Sequence, residues 1–245
     1  MKVETKRHFF LGIKRGVPIA IGYFPVSFTF GLMATKGGIP AWLTVLISVS
    51  NLTSAGQFAG VNLMIASASY YEIALTTFLI NLRYMLMSMS LSQKLKRPMS
   101  LIKRMILGYG ITDEIFAVAV SENGLEGKKV TASYMYGLIL GPFLGWSLGT
   151  LCGAYTSGIL PQRLSDAMGI ALYGMFIAII VPPARNSIKI LIVIVISVLC
   201  TVLMYYVPVF HNISEGFRII IATVVAAGIG AVLFPVEERE EVCEE

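Results

Sequence analysis

The chain has 245 residues, 56% of them hydrophobic and only 13% charged, with a formal net charge of +5; soluble domains carry about 25% charged residues. At a mean hydropathy of +0.77 no soluble fold can hide this much apolar surface, which excludes a soluble enzyme and indicates an all-α, polytopic integral membrane protein. The basic balance suits anionic lipid headgroups and membrane topology rather than nucleic acid, because no aromatic-rich basic surface lies outside the membrane flanks.

In chain order, residues 1–15 form a basic N-terminus, read as uncleaved and cytoplasmic, whose KRHFFLGIKRG stretch fits a short interfacial helix. Apolar runs follow at Gly16–Ala34, Ala41–Ala68, Ile73–Leu91, Met105–Ser121, Val130–Ala154, Ala167–Pro182, Ile188–Val207 and Ile219–Phe234. Most approach or exceed the ~17–25 residues that cross a hydrocarbon core. Pro25, Pro142, Pro182 and Pro183 are expected to kink or end helices, and Gly145 and Gly149 to serve close helix contact. His8 and His211 fall near segment ends and read as interfacial, and the tail at 236–245 (EEREEVCEE at its end) reads as solvated. Cys152, Cys200 and Cys243 are isolated and form neither a metal-ligand spacing nor a disulfide framework. Neither a metal nor a cofactor is expected.

Basic residues cluster at Lys2, Lys6, Arg7, Lys14 and Arg15, and again at Lys94, Lys96, Arg97, Lys103 and Arg104. The positive-inside tendency puts both clusters in the cytoplasm. Three apolar runs lie between them, so one run must fail to cross. The second is the candidate, because its centre reads Ser48-Val49-Ser50-Asn51-Leu52-Thr53-Ser54-Ala55-Gly56-Gln57. Such a polar, Gly-containing interruption suits two half-helices, tolerated at membrane depth inside protein or beside a wet cavity.

A shift of 121 residues aligns Gly16 with Gly137, Thr29 with Thr150, Thr35 with Thr156, Gly37 with Gly158, Pro40 with Pro161 and Leu43 with Leu164. The expectation is one membrane domain over 1–245 built from two inverted repeats, 16–121 and 130–235. Each would hold about four apolar segments, the second of them broken or re-entrant. Lys36, Lys128, Lys129 and Arg218 would then lie outside, and Arg163, Arg185, Lys189 and Arg239 inside. Inverted halves with discontinuous helices suit secondary transporters, whose solute sites lie near the midplane.

Arg83 sits near the middle of an apolar run. A charge at the bilayer centre costs ~2.5–3.5 kcal/mol on insertion scales, so it needs a partner or water. Asp113 and Glu114 lie at the matching depth across the cytoplasmic loop, about 15 Å in at ~1.5 Å per residue, and are the expected partners. An ion pair that merely ties two helices together competes with a role in handling solute or protons.

GYFPVSFTFG in the first run, NLTSAGQFAG in the second, NLRYMLMSMSLS in the third and TDEIFAVA in the fourth together resemble the AzlC/YgaZ family. The likeness runs through essentially the whole chain and is strongest from about Gly12 to Val120. It implies export of branched-chain amino acids, in some members methionine, across the cytoplasmic membrane with a small AzlD/YgaH-type membrane partner. Gln57, Asn81, Arg83, Asp113 and Glu114 are the matching site positions.

The residues suit such a solute. Arg83 can clamp a carboxylate bidentately. Asn51 and the backbone around Thr53, Ser54 and Gly56 can add donors or the positive end of a half-helix. Asp113 and Glu114 can take an ammonium or a coupling proton. Phe58 and Phe116 are candidate aliphatic contacts, although such residues are usually plain core. The sequence has no nucleotide-binding motif to power pumping, and no deep histidine or second deep aspartate for intramembrane proteolysis, so it does not read as an enzyme. A non-transporting scaffold subunit, or a carrier of another small zwitterion or organic anion, stays open.

Overall fold

Basic and apolar residues at the N-terminus fold as one piece. Lys2–Lys36 form a single helix, α1, so the separate interfacial helix expected at residues 6–16 is absent. At ~1.5 Å per residue α1 is about 52 Å long, and its basic turns stand clear of a core of ~30 Å. The computed structural model describes residues 2–96, 99–121, 130–159, 180–207 and 215–235, with isolated positions between the last three blocks. Arg97, Lys128, Lys129, Pro161, Leu164, His211, Arg239, Cys243 and the acidic tail lie outside the described residues. The chain divides into two compact units, Met1–Tyr173 and Gly174–Glu245.

In the first unit the second apolar run is broken, as its polar centre suggested. α2 (Ala41–Ser50) and α3 (Ala55–Ile65) flank a non-helical stretch. There the Thr53 hydroxyl donates to Asn51 Oδ1 at 2.9 Å and Thr53 N to Asn51 O at 2.9 Å, local bonds that compete with the helical ladder. Ser54 has φ 49°, a sparsely populated conformation for a residue with a Cβ. The run returns to where it entered: a Cβ on Gly37, just before α2, would lie 2.6 Å from Ile65 Cγ1 at the end of α3. It is a re-entrant hairpin.

α4 (Tyr70–Lys94) begins on a serine N-cap, with the Ser69 hydroxyl accepting from Glu72 N at 3.2 Å. The fourth run, expected to cross as one helix, does not. It splits into α5 (Leu101–Tyr109) and α6 (Asp113–Ser121) around Gly110-Ile111-Thr112. Thr112 opens α6 by accepting from Ile115 N, and two acids occupy the first turn, where the helix dipole favours them. Its two flanks meet, because Lys96 N donates to Val130 O and Val130 N to Lys94 O, both at 2.9 Å. Ala119 shares a buried cluster with Leu91, Leu95 and Val130. The fourth run is thus a second re-entrant hairpin, entering from the end opposite to the first.

α7 (Ala132–Thr156), capped by Thr131, lies along α1 for most of its length. Glycines at every fourth position, Gly137, Gly141, Gly145, Gly149 and Gly153, form a ridge that meets the α1 backbone. Gly145 faces Ala20, Gly149 faces Phe24 and Ser27, and Gly153 faces Phe28. Such small-residue faces let helices approach closely. Only Gly145 and Gly149 of this ridge stood out in the sequence reading. Pro25 and Pro142 lie inside α1 and α7 without ending them.

The register corrects the topology. Gly12 of α1 faces Tyr134 to Leu138, and Gly31 faces Thr150 to Ala154, so α1 and α7 run parallel. These are the helices that the 121-residue shift equates, and an inverted repeat would make them antiparallel. The difference arises because the fourth run does not cross. The His8 ring lies 3.2 Å from Thr131 Oγ1, so the N-terminal basic turns, the Lys94–Lys96 stretch and the start of α7 share one end. That placement of the two basic clusters is as expected.

In the second unit, residues 180–186 are helical through Pro182 and Pro183. α8 (Ile188–Tyr206) and α9 (Glu215–Leu233) pack with Gly230 against Val193, so they run antiparallel. Much of the run expected to form the second repeat's broken segment lies outside the described residues. Among them, α1, α4, α7 and α8 are long and apolar enough to cross a membrane.

Candidate functional site

The two hairpins bring their broken tips to the middle of α4. α4 carries Arg83 there, and α6 presents Asp113 in its first turn: Arg83 Nη1 lies 2.9 Å from Asp113 Oδ2. Arg83 Nη2 also donates to Tyr84 Oη at 3.0 Å, its guanidinium lies 4.9 Å from the Tyr84 ring centre, and the Tyr84 hydroxyl donates to Thr53 O at 3.0 Å. The chain of contacts thus runs from α6 through α4 to the break before α3. A second link joins the tips directly, as the Tyr109 hydroxyl at the end of α5 donates to Val49 O at the end of α2.

Glu114, one residue on, faces a different neighbour, because consecutive helical residues do not share a face. Its Oε2 accepts from the Tyr23 hydroxyl of α1, and that same oxygen of Tyr23 lies 2.6 Å from Thr112 Oγ1. Tyr23 is buried and packs edge-on against Trp146 of α7, with ring centres 5.3 Å apart. Arg83 and Asp113 stay partly open, their side chains keeping 37% and 28% of their surface accessible.

Several other residues singled out from sequence gather at the same place. Gly56 packs against the Asn81 side chain, and a Cβ there would collide with it. Gln57 is fully buried at 1% exposure, with both amide atoms unpartnered. Asn81 Oδ1 and Arg83 Nε are likewise buried without a hydrogen-bond partner. Unsatisfied buried polar atoms are costly, and a cluster of them calls for a reason. Asn51 and Thr53 shape the break, with Ser54 at the start of α3. Phe58, in contrast, packs on Phe30 with ring centres 5.3 Å apart, and Phe116 lies against the core cluster; both are core.

Sequence reasoning missed Tyr23, Tyr84, Thr112 and Tyr109. Thr112 was findable, since Gly-Ile-Thr-Asp-Glu carries a helix stop followed by an N-cap and an acidic first turn. The tyrosines gave no local signal, because their contacts span α1 to α6, α4 to the break before α3 and α5 to α2.

The AzlC protein family matches residues 18–160. The chain belongs to the AzlC family. The match runs from α1 to the end of α7 and contains both hairpins together with Tyr23, Arg83, Asp113 and Glu114. Among individual relatives, the inner membrane protein YgaZ of Escherichia coli K12 is 30% identical over 173 residues, 69% of this chain and 71% of that protein. An uncharacterized membrane protein of Archaeoglobus fulgidus is 31% identical over 177 residues, 71% of this chain and 75% of that one. A Helicobacter pylori J99 membrane protein is 25% identical over 138 residues, 56% of this chain and 59% of its own. No solved structure matches this AzlC-family chain.

Proposed function

We propose that this AzlC-family chain is a secondary-transporter subunit of the cytoplasmic membrane. It carries branched-chain amino acids in the export direction, with a small AzlD/YgaH-type membrane partner, and is not an enzyme. The observation that carries the reading is the Arg83–Asp113 pair held at 2.9 Å where two opposed re-entrant hairpins meet. Non-helical backbone at membrane depth is tolerated inside protein or beside a water-filled cavity, and intramembrane ionisable residues mark solute and ion paths.

The pair also suits a zwitterion in particular. An amino acid carries one carboxylate and one ammonium, so it can enter the pair charge for charge, Arg83 taking the carboxylate and Asp113 the ammonium. No net charge is transferred into a low-dielectric site, which keeps desolvation small beside that of a lone ion. A free organic anion would meet two carboxylates for one guanidinium, so the charge balance disfavours it. The unpartnered amide of Gln57 and Asn81 Oδ1 add polar groups near the same break.

The test is counterflow of labelled valine in proteoliposomes, with and without the small partner, comparing the parent with Arg83→Gln. Circular dichroism and gel filtration check folding. Exchange lost in a folded variant supports the reading. Exchange unchanged reduces Arg83 to a helix tie, and a silent parent even with its partner refutes the carrier.

A further inference from the structure

We infer that Glu114, held by the Tyr23 hydroxyl, is a proton-binding site separate from the Arg83–Asp113 pair, and that its proton couples the transport proposed above to a pH gradient. The coupling half rests on that transporter reading; the proton site stands on its own geometry.

Two adjacent carboxylates have been given different company. Asp113 turns to α4 and is matched by a permanent cation. Glu114 turns to α1, where its partner is a phenol, and no basic side chain among the described residues forms an ion pair with it. The ionisable groups around it are Tyr23 from α1, Arg83 and Tyr84 from α4, and Asp113 on its own helix. From α7 comes Trp146, which fixes the Tyr23 ring and cannot titrate. Arg83 is already shared between Asp113 and Tyr84.

The hydroxyls next to Glu114 can serve it in both protonation states. As a carboxylate, Glu114 accepts a hydrogen bond from the Tyr23 hydroxyl, which keeps its proton, while the Thr112 hydroxyl, 2.6 Å from the phenol oxygen, can donate to Tyr23. As an acid, Glu114 keeps its new proton and donates a hydrogen bond to the Tyr23 oxygen, and the phenol O–H rotates to donate to Thr112 Oγ1. One proton is taken up, no other bond forms or breaks, and neither state leaves Glu114 Oε2 or the Tyr23 oxygen bare. A hydroxyl can donate and accept in this way, whereas a lysine or arginine partner can only donate and would lock the carboxylate in its charged form.

The full chain, reconstituted with its partner, supplies two readouts. The first is pH-difference infrared spectroscopy of the protonated-carboxyl C=O stretch. The band should vanish in Glu114→Gln, persist in Asp113→Asn, and shift its pH midpoint in Tyr23→Phe. The second is labelled valine flux driven by an imposed pH gradient, expressed relative to each variant's own valine exchange. The parent should respond to the gradient, and Glu114→Gln should lose that response.

A band that survives Glu114→Gln, or one lost with Asp113→Asn instead, overturns the site. A parent with the Glu114 band whose valine flux ignores the gradient overturns the coupling. A parent that shows the Glu114 band but exchanges no valine upholds the proton site and refutes the carrier reading. Tyr23→Phe keeps the site falsifiable should Glu114→Gln fail to fold, since an unshifted band would refute the role of the phenol.

Discussion

A single methyl added at Gly145 should loosen α1 from α7, whereas the same methyl four residues earlier should not. The would-be Cβ of Gly145 lies 2.6 Å from Ala20 O, and its next neighbours, Ala20 Cα and C, are also backbone. Ordinary contact begins near 3.4 Å, so α1 would have to retreat locally by about 0.8 Å. A gap of ~0.5–1 Å forfeits a quarter to a half of each dispersion contact along the seam. Overpacking of this kind costs ~1–3 kcal/mol. The would-be Cβ of Gly141, in contrast, meets nothing closer than 3.6 Å, and replacing glycine inside a helix by alanine gains ~0.5–1 kcal/mol. Thermal unfolding in detergent, followed by tryptophan fluorescence, reads both, because Trp146 lies in this seam against Tyr23. At about 2–4 °C per kcal/mol for a chain of this size, Gly145→Ala should lower the midpoint by several degrees. Gly141→Ala should hold it or raise it. Equal losses at both positions, or none at Gly145, would refute the close parallel packing of α1 and α7.

The second hairpin predicts a cross-link and a labelling pattern. With Cys152, Cys200 and Cys243 replaced, the pair Leu95→Cys and Val130→Cys should oxidise to an intramolecular disulfide, because the two residues bridge. Lys94→Cys and Ser133→Cys, the latter partly exposed at the start of α7, should take an impermeant thiol reagent from the same side of the membrane, and Lys36→Cys from the other; labelling of Ser133→Cys from the Lys36 side would restore a crossing fourth run. Tyr84→Phe removes the oxygen that accepts from Arg83 Nη2 and the hydroxyl that donates to the partly buried Thr53 O, at a cost of ~0.5–1.5 kcal/mol for a hydrogen bond lost. Valine exchange should therefore weaken in a variant that keeps its fold by circular dichroism, and unchanged exchange would separate Tyr84 from the solute path.

The sequence carried the first hairpin openly and the second only in part. Between the two basic clusters, parity demanded a run that does not cross, and the polar stretch around Asn51–Gly56 could be picked by composition. No such parity argument acts beyond Arg104, because the next basic residues, Lys128 and Lys129, are a single pair that does not fix a side by the positive-inside tendency. Asp113 and Glu114 were read by depth alone, which was sufficient to pair Arg83 with Asp113. Depth could not say that these acids start a helix, nor that Glu114 turns away toward α1. The glycine ridge was written every fourth residue from Gly137 to Gly153, but its partner is set by tertiary packing. A ridge of small residues names a close neighbour without naming which helix it is or which way that helix runs.

The charges at the hairpin tips connect the two proposals. Arg83, Asp113 and an ionised Glu114 sum to one negative charge, and a zwitterion that enters the Arg83–Asp113 pair leaves that sum unchanged. Binding of amino acid alone therefore never neutralises the centre, but a proton on Glu114 does. An elementary charge moved across the membrane potential is worth ~2.3 kcal/mol per 100 mV, so the protonated and unprotonated centres respond differently to the same field. On these two proposals substrate occupancy is electrically silent, and the Tyr23-held carboxyl carries the electrical difference between states. Glu114→Gln, which fixes the centre at zero charge, should accordingly remove the voltage dependence of valine flux along with its pH dependence. A variant that loses one and keeps the other would require a second titrating group.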